Sequence, residues 1–411
     1  LSRRTLHDRF AGGLATLALL LFGQAGVASV DKVTSSTILP LRTPSTALSA
    51  EALLDVAIPP LRDGLELTDE DDTVFPEVRY AEAIYFSNQL AKTMEKSGAW
   101  GAIRVTPNTN VVMDVYVTGT ILQSDGETLD LQMSVYDTSG AQWFEKRYEL
   151  VTGKYAYDRR LKNLGDPFQN LFTEIANDVL AYRERLTERD AARLRQISEL
   201  RFARDFSPEA FDAHIVENRK GILEIQRLPA ADDTILQRIE RIRERDYLYV
   251  DTMQDYYDVF SQRMHLPYQD FRRASYDSVV KARQLKKQGN RRLVAGIGAI
   301  LAGIYGRTQA DTYLERDAGT ASAAVGGYIV KSALEKKQEA AAYNEQVAEM
   351  GSSLEAEIAP QVIELEDRTI TLSGTVQAQY QQWRELLHQI YDQERGTPGQ
   401  RNLQVLRDDS E

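Results

Sequence analysis

The side chains best equipped for chemistry in this chain are few and scattered. Histidine occurs only at His7, His214, His265 and His388, and no two of these sit at the spacing of a metal-ligand pair. Cysteine is absent, which removes thiolate nucleophiles, zinc–thiolate centres, disulfides and the acylated cysteine of a lipoprotein. Neighbouring carboxylates at Asp71-Asp72 and Asp232-Asp233 are of the type that serves as acid and base in glycoside hydrolysis. Adjacent in sequence, they point apart or lie in loops, and solvated loop charge accounts for them. HExxH, GxSxG, P-loop and EF-hand patterns do not occur. Tyr247, Tyr249, Tyr256 and Tyr257 suit stacking on a ligand, but their helical spacing reads first as core and bundle-edge packing. His265, beside Met264 and close to Pro267, reads as a boundary residue between two helices, and His388 as a packed or edge residue within one. No nucleophile–base pair converges, so no catalytic residue, metal ligand or cofactor is assigned.

The most unusual local pattern is of another kind. In RRLVAGIGAILAGIYG, Arg291 to Gly306, two rows of small residues recur every fourth position: Gly298, Ala302, Gly306 and Ala295, Ala299, Gly303. After RTQADTYLERD the pattern returns as Gly319, Ala323, Gly327 beside Ala318, Ser322, Gly326. Residues four apart share a helix face, and each glycine costs about 1 kcal/mol in a helix relative to alanine. Close approach of another helix supplies the compensation through dispersion contact. A phosphate loop fails, because Gly296-x-Gly298 lacks the third glycine and no strand precedes it. A single membrane span fails on length, since about 14 residues at ~1.5 Å reach ~21 Å of the ~30 Å hydrocarbon layer. What remains is a helical hairpin whose packing surface is Ala295, Gly298, Ala299, Ala302, Gly303, Gly306, Gly319, Ala323, Gly326 and Gly327. It resembles the glycine-zipper segments of outer-membrane lipoproteins. It is either a tight pair buried under the bundle or a hairpin that self-assembles or touches a membrane.

These residues need a scaffold, and composition bounds it. A chain of 411 residues, 43% apolar and 27% charged, is ordinary folded protein with room for two or three domains. A net charge of -12 argues against nucleic acid, which requires clustered Lys and Arg, and against a general affinity for anionic membranes. The leading stretch runs basic (LSRRTLHDRF), apolar (GGLATLALLLFG), then small (QAGVAS), the order of a secretory signal peptide over 1–29 with cleavage after Ala28 or Ser29. The expected compartment is the periplasm, in association with the outer membrane.

Residues 30–185 read as an α/β sandwich. LLDVAIPPL is a strand, and Glu66 to Asp72 an acidic loop. A helix starts near Pro76 and stops at Ser97-Gly98. Three alternating strands follow (VVMDVYVTGTIL, LDLQMSVYD, WFEKRYELV) with a turn at Asp125-Gly126, then a second helix carrying Phe168, Leu171, Phe172, Ile175, Val179 and Tyr182 on one face. The rhythm of Thr118-Gly119, Asp137, Gly140 and Trp143 after a helix ending in SGAW resembles the TolB amino-terminal and curli-secretion-channel superfamily of periplasmic domains. That resemblance implies envelope assembly or outer-membrane transport rather than catalysis. The absent cysteine departs from the lipidated curli-channel members.

Residues 186–290 read as four helical segments of a charged bundle, two of them with a proline at the start, Pro208 and Pro267. The hairpin takes 291–334. Over 335–395 come a long polar helix, two short strands placing Ile363 and Leu365 opposite Ile370 and Leu372, and a helix with the stripe Tyr380, Trp383, Leu387, Ile390. Residues 396–411 read as a mobile tail. The fold class is therefore α+β: a small antiparallel-sheet sandwich, a mainly helical bundle with a glycine-rich hairpin, and a short C-terminal β-hairpin. The functional expectation is an exported, non-enzymatic envelope protein acting through other envelope proteins and copies of itself. The alternative is a ring-forming component of an outer-membrane transport or secretion conduit; a carboxylate-based enzyme is the third possibility.

Overall fold

The computed structural model describes residues 32–34, 38–68, 74–157, 166–287, 361–364 and 369–405. The leader 1–29, Asp71-Asp72, the whole small-residue surface from Ala295 to Gly327, the polar helix after it, and Leu365 to Arg368 lie outside the described residues.

The architecture is α+β, with a mixed sheet and a helical region. The three expected strands form the meander β4 (Val115–Ser124), β5 (Thr128–Asp137) and β6 (Gln142–Val151). Around it the sheet is mixed rather than antiparallel throughout. Short strands β1 (Lys32–Thr34), β2 (Val56–Ala57) and β3 (Ile103–Arg104) complete the order β1-β6-β5-β4-β2-β3, and all three pair in parallel. For β2 and β3 the reason is the helix between them: α1 (Pro76–Glu95) carries the chain back across the sheet, and such a crossover returns it parallel. Val111 and Met113 are buried ahead of β4 rather than within it.

Alternation along the meander decides its two faces. Val117, Ile121, Leu131, Met133, Val135, Tyr148 and Leu150 are buried under α1 and α2 (Gln169–Arg183). The opposite face carries polar pairs, among them Arg147–Asp130 and Gln132–Glu145. The expected stripe of α2 is buried from Phe168 to Val179, and Tyr182 stacks on Trp143 at 4.7 Å. Of the motif residues, Thr118-Gly119 lie within β4, whereas Asp137, Gly140 and Trp143 meet at the β5–β6 turn. Asp137 accepts from Ser139 N–H at 2.9 Å and from Trp143 Nε1–H at 3.0 Å, while Gly140 adopts φ +89°.

Three helix assignments change. First, Thr187 caps α3 (Glu188–Phe206) through a reciprocal box with Asp190, but the next segment is not a helix throughout. One turn, α4 (Pro208–Phe211), is followed by an antiparallel hairpin, β7 (Ile215–Glu217) with β8 (Leu223–Ile225). Asn218 Oδ1 accepts from Lys220 and Ile222 N–H, and Gly221 at φ +74° closes the turn. Second, Pro267 does not start a helix. It lies inside α5 (Thr234–Lys287), which begins at Asp233, whose side chain accepts from Ile235 and Leu236 N–H. An interior proline costs about 3 kcal/mol, and buried Met264, Tyr268 and Phe271 on either side of it hold the rod together. His265 is thereby an interior helix residue, not a boundary. Third, α6 (Val376–Val405) runs beyond residue 395 into the stretch expected to be a tail. Docked through Tyr380, Trp383, Leu387 and Tyr391, it propagates by adding one hydrogen bond per residue. Ahead of it, β9 (Gln361–Glu364) pairs antiparallel with β10 (Thr369–Leu372), with Ile363 opposite Ile370.

Candidate functional site

The hydrophobic core is continuous from Ala52 in the sheet layer to Tyr391 in α6. The chemistry-bearing side chains gather where the helices meet that layer, in three seams.

The first joins α1, the end of β4 and α5. Glu82 and Arg79 form an ion pair at 3.2 Å, both almost wholly buried. Ser124 Oγ–H donates to Glu82 at 2.7 Å, and the Tyr268 hydroxyl donates to the same carboxylate. Burial pushes the Glu82 carboxyl above its ordinary value, opposed by Arg79 and the two hydroxyl donors. One turn along α1, the Tyr85 hydroxyl donates to Asp166 at 3.2 Å and contacts His265 Nδ1 at 2.7 Å. With its single proton given to Asp166, Tyr85 accepts from His265, which places the imidazole proton on Nδ1. Arg272 pairs with Asp166 at 3.3 Å and is caged by the rings of Tyr268, Phe168 and Phe86 at 3.9, 4.6 and 5.6 Å. Its Nε and Nη2 find no acceptor among the described residues; the ring faces take that place.

This seam has the parts of a proton relay, His265–Tyr85–Asp166. Burial, with Asp166 adding to it, drives the Tyr85 hydroxyl well above its ordinary value, so it stays neutral and donates. The cavity bordering Glu82, Arg79 and Ser124 is about 40 Å³, room for water and not for a substrate. The arrangement is chemically a clamp.

The second seam fastens α3 and α5 to the start of β4. Ser198 Oγ–H and Asp55 N–H donate to buried Asp114 at 2.5 and 2.9 Å. Arg201 reaches Thr138 O at 2.9 Å, and Arg243 donates to the Tyr247 hydroxyl, which donates to Val112 O at 3.0 Å. On its outer edge Glu199 of α3 hydrogen-bonds Glu240 of α5. Burial first, then that neighbouring carboxylate, pushes Glu199 up to about 7.

The third seam holds α6. Asp246, fully buried on α5, meets the Tyr380 hydroxyl at 3.3 Å and Arg384 at 3.4 Å. Arg384 also pairs with Asp205 and lies 4.9 Å from the rings of Phe202 and Phe206. His388 stacks on Phe206 at 4.2 Å, and Trp383 on Tyr249 at 4.7 Å. The tyrosines singled out in the sequence are thus bundle packing: Tyr249 and Tyr257 are buried and Tyr247 is bonded to backbone. His214 contacts Arg227 O at 2.9 Å beside the β7–β8 hairpin. Asp233 is a helix cap, and Asp232 is exposed.

The charged residues of the seams have a sequence signature that pattern reading passed over. Glu82, Asp246 and Arg272 each fall in phase with an apolar helical stripe, where only a paired charge is tolerated. A ligand-sized concavity among the described residues is an open cleft of about 650 Å³ between the loop after β2, α1 and the start of α6, rimmed by Arg62, Asp63, Glu66 and Gln377. Two of its charges are already engaged: Arg62 Nε on Thr120 at 3.0 Å, and Asp63 on Leu65 N–H at 3.0 Å.

Among the described residues no cluster of three or more His, Asp or Glu is placed to hold a metal ion, and no helix is long and apolar enough to cross a membrane. Compared with known proteins, the chain matches no family model, no curated protein and no solved structure.

Proposed function

We propose that this chain is an exported bacterial envelope protein that works by protein–protein assembly, as a scaffold or accessory factor of an envelope or outer-membrane machine, and not as an enzyme. The basic–apolar–small order of residues 1–29 carries the export half of this reading. The assembly half is supported by how the buried ionisable groups are used. Each of the buried ionisable groups is held by partners inside the fold, Glu82 by Arg79, Ser124 and Tyr268, Asp114 by Ser198, Asp166 by Arg272 and Asp246 by Arg384, which supports a role for them in packing rather than in turning over a substrate. The Ala295–Gly327 rows favour a second reading, in which a glycine-rich helical hairpin lines copies into a ring that forms or gates an outer-membrane conduit. Alanine and glycine every fourth residue are what close packing of like helices asks for.

Fractionation of cells making the full chain, with and without residues 2–29, tests export. The full chain is expected in the envelope fraction and the shortened chain in the cytoplasm; cytoplasmic recovery of both would overturn the proposal. Light scattering of the purified mature chain then separates the two forms of it. A sharp high-order species favours the conduit, and a monomer or dimer favours the scaffold.

A further inference from the structure

The open cleft of about 650 Å³ falls within the range of small-ligand pockets, and its two polar walls differ in sign. One wall is the start of α6. Thr375 caps that helix: its Oγ1 accepts from Ala378 N–H at 3.2 Å and its carbonyl from Gln379 N–H at 2.9 Å. The first-turn N–H groups of Val376 and Gln377 have no acceptor among the described residues. Both residues line the cleft, and no acidic side chain in that turn offsets the positive end of the helix dipole. The other wall is the segment after β2. There Arg62 offsets one of the two carboxylates Asp63 and Glu66, and Glu66 is exposed with no partner among the described residues. Much of the remaining lining is apolar, with Pro60, Leu61 and Ile84 in it.

A further group points to a ligand. Tyr257 of α5 lines the cleft and is wholly buried; its ring packs in the bundle, but its hydroxyl has no hydrogen-bond partner. Burial pushes that hydroxyl well above its ordinary value, so it remains a donor. Buried hydroxyls are nearly always partnered inside a fold, and one left over beside a cleft calls for an acceptor from outside the chain.

We propose that the cleft binds a short zwitterionic peptide, its terminal carboxylate on the first-turn N–H groups of α6, its terminal ammonium on Glu66 and Asp63, and a carbonyl oxygen on the Tyr257 hydroxyl. A simple anion satisfies the α6 wall and is repelled by the carboxylates, and a simple cation does the reverse. Only a ligand carrying both charges, with apolar side chains between them, meets every surface of the cleft. This binding role goes beyond assembly and does not depend on export or on the glycine-rich stretch.

Isothermal titration of the full mature chain with the tripeptide Leu-Ala-Leu at low ionic strength should give one site with a Kd of about 1 mM or tighter. The carboxy-terminal amide and the N-acetyl form of that peptide should each bind about fivefold more weakly or worse, and inorganic phosphate should not compete. Glu66→Gln should raise the Kd about threefold or more. Tyr257→Phe should do the same without lowering the melting temperature, because the hydroxyl serves no partner in the fold. No binding at about 5 mM peptide, equal binding of either blocked form, or displacement by phosphate would each overturn the proposal. So would unchanged affinity in either variant, or a lower melting temperature for Tyr257→Phe.

Discussion

Replacing Glu199 with glutamine should make the protein more stable at pH 8 and leave it nearly unchanged at pH 4.5. In the folded chain the Glu199 carboxyl titrates at about 7 rather than 4.5, because it is half-buried at the α3–α5 seam and hydrogen-bonds Glu240. A carboxyl that holds its proton more tightly when folded favours the folded state below 4.5. It loses that contribution as pH rises from 4.5 to 7, since the native state then binds more protons than the unfolded chain. The gross difference between those two values is about 3 kcal/mol. Water reaches this half-buried carboxyl and Arg243 and Arg195 lie nearby, so solvent screening reduces the expected effect to about 1–2 kcal/mol. Glutamine copies the protonated form, keeping an N–H for Glu240 without the second charge. The assay is urea unfolding followed by tryptophan fluorescence at pH 4.5, 6 and 8. The variant's midpoint should exceed the parent's by a few tenths of a molar at pH 8, and the gap should close toward pH 4.5. Glu240→Gln should reproduce the trend. A difference of equal size at all three pH values would refute the shared-proton account.

Asp246→Ala should cost about 3 kcal/mol in thermal unfolding, because it leaves Arg384 and the Tyr380 hydroxyl without their buried acceptor; Asp246→Asn should cost distinctly less. Gly119→Val should destabilise by about 1–3 kcal/mol, since even a Cβ there would stand 2.9 Å from Gln132 O and 2.5 Å from Met133 Sδ; a melting temperature unchanged by it would count against the β4–β5 register. Gly298→Leu and Gly303→Leu should each weaken stability or assembly by about 1 kcal/mol or more, and unchanged melting and oligomer size in both would reject the packing role given to those glycines.

How much could be read in advance follows from which interactions are local. The meander was legible from alternation, with its turn at Asp125-Gly126, and so were α1, from Pro76 to the glycine stop, and the stripe of α2. Each depends on neighbours within a few residues. The β7–β8 hairpin was hidden because Glu and Arg around Ile215 and Ile222 imitate a charged helix, although the Asn218 and Gly221 turn marked it. Continuity of α5 through Pro267 could not be read, because a proline's local cost was outweighed by packing from other elements. The three seams were equally out of reach. Tyr85 and His265, or Asp246 and Arg384, are far apart in sequence, and only the docked helices bring them within hydrogen-bond distance.

From residue order alone came the α+β class, the meander, the two covering helices and the scarcity of groups suited to catalysis, because periodicity, turn residues and composition act over short range. Only the tertiary structure decided that the sheet is mixed, that one helix runs unbroken through Pro267, and that its charges on the apolar stripe are buried clamps. Those outcomes are set by desolvation. A carboxylate or guanidinium can leave water only where partners from distant segments surround it.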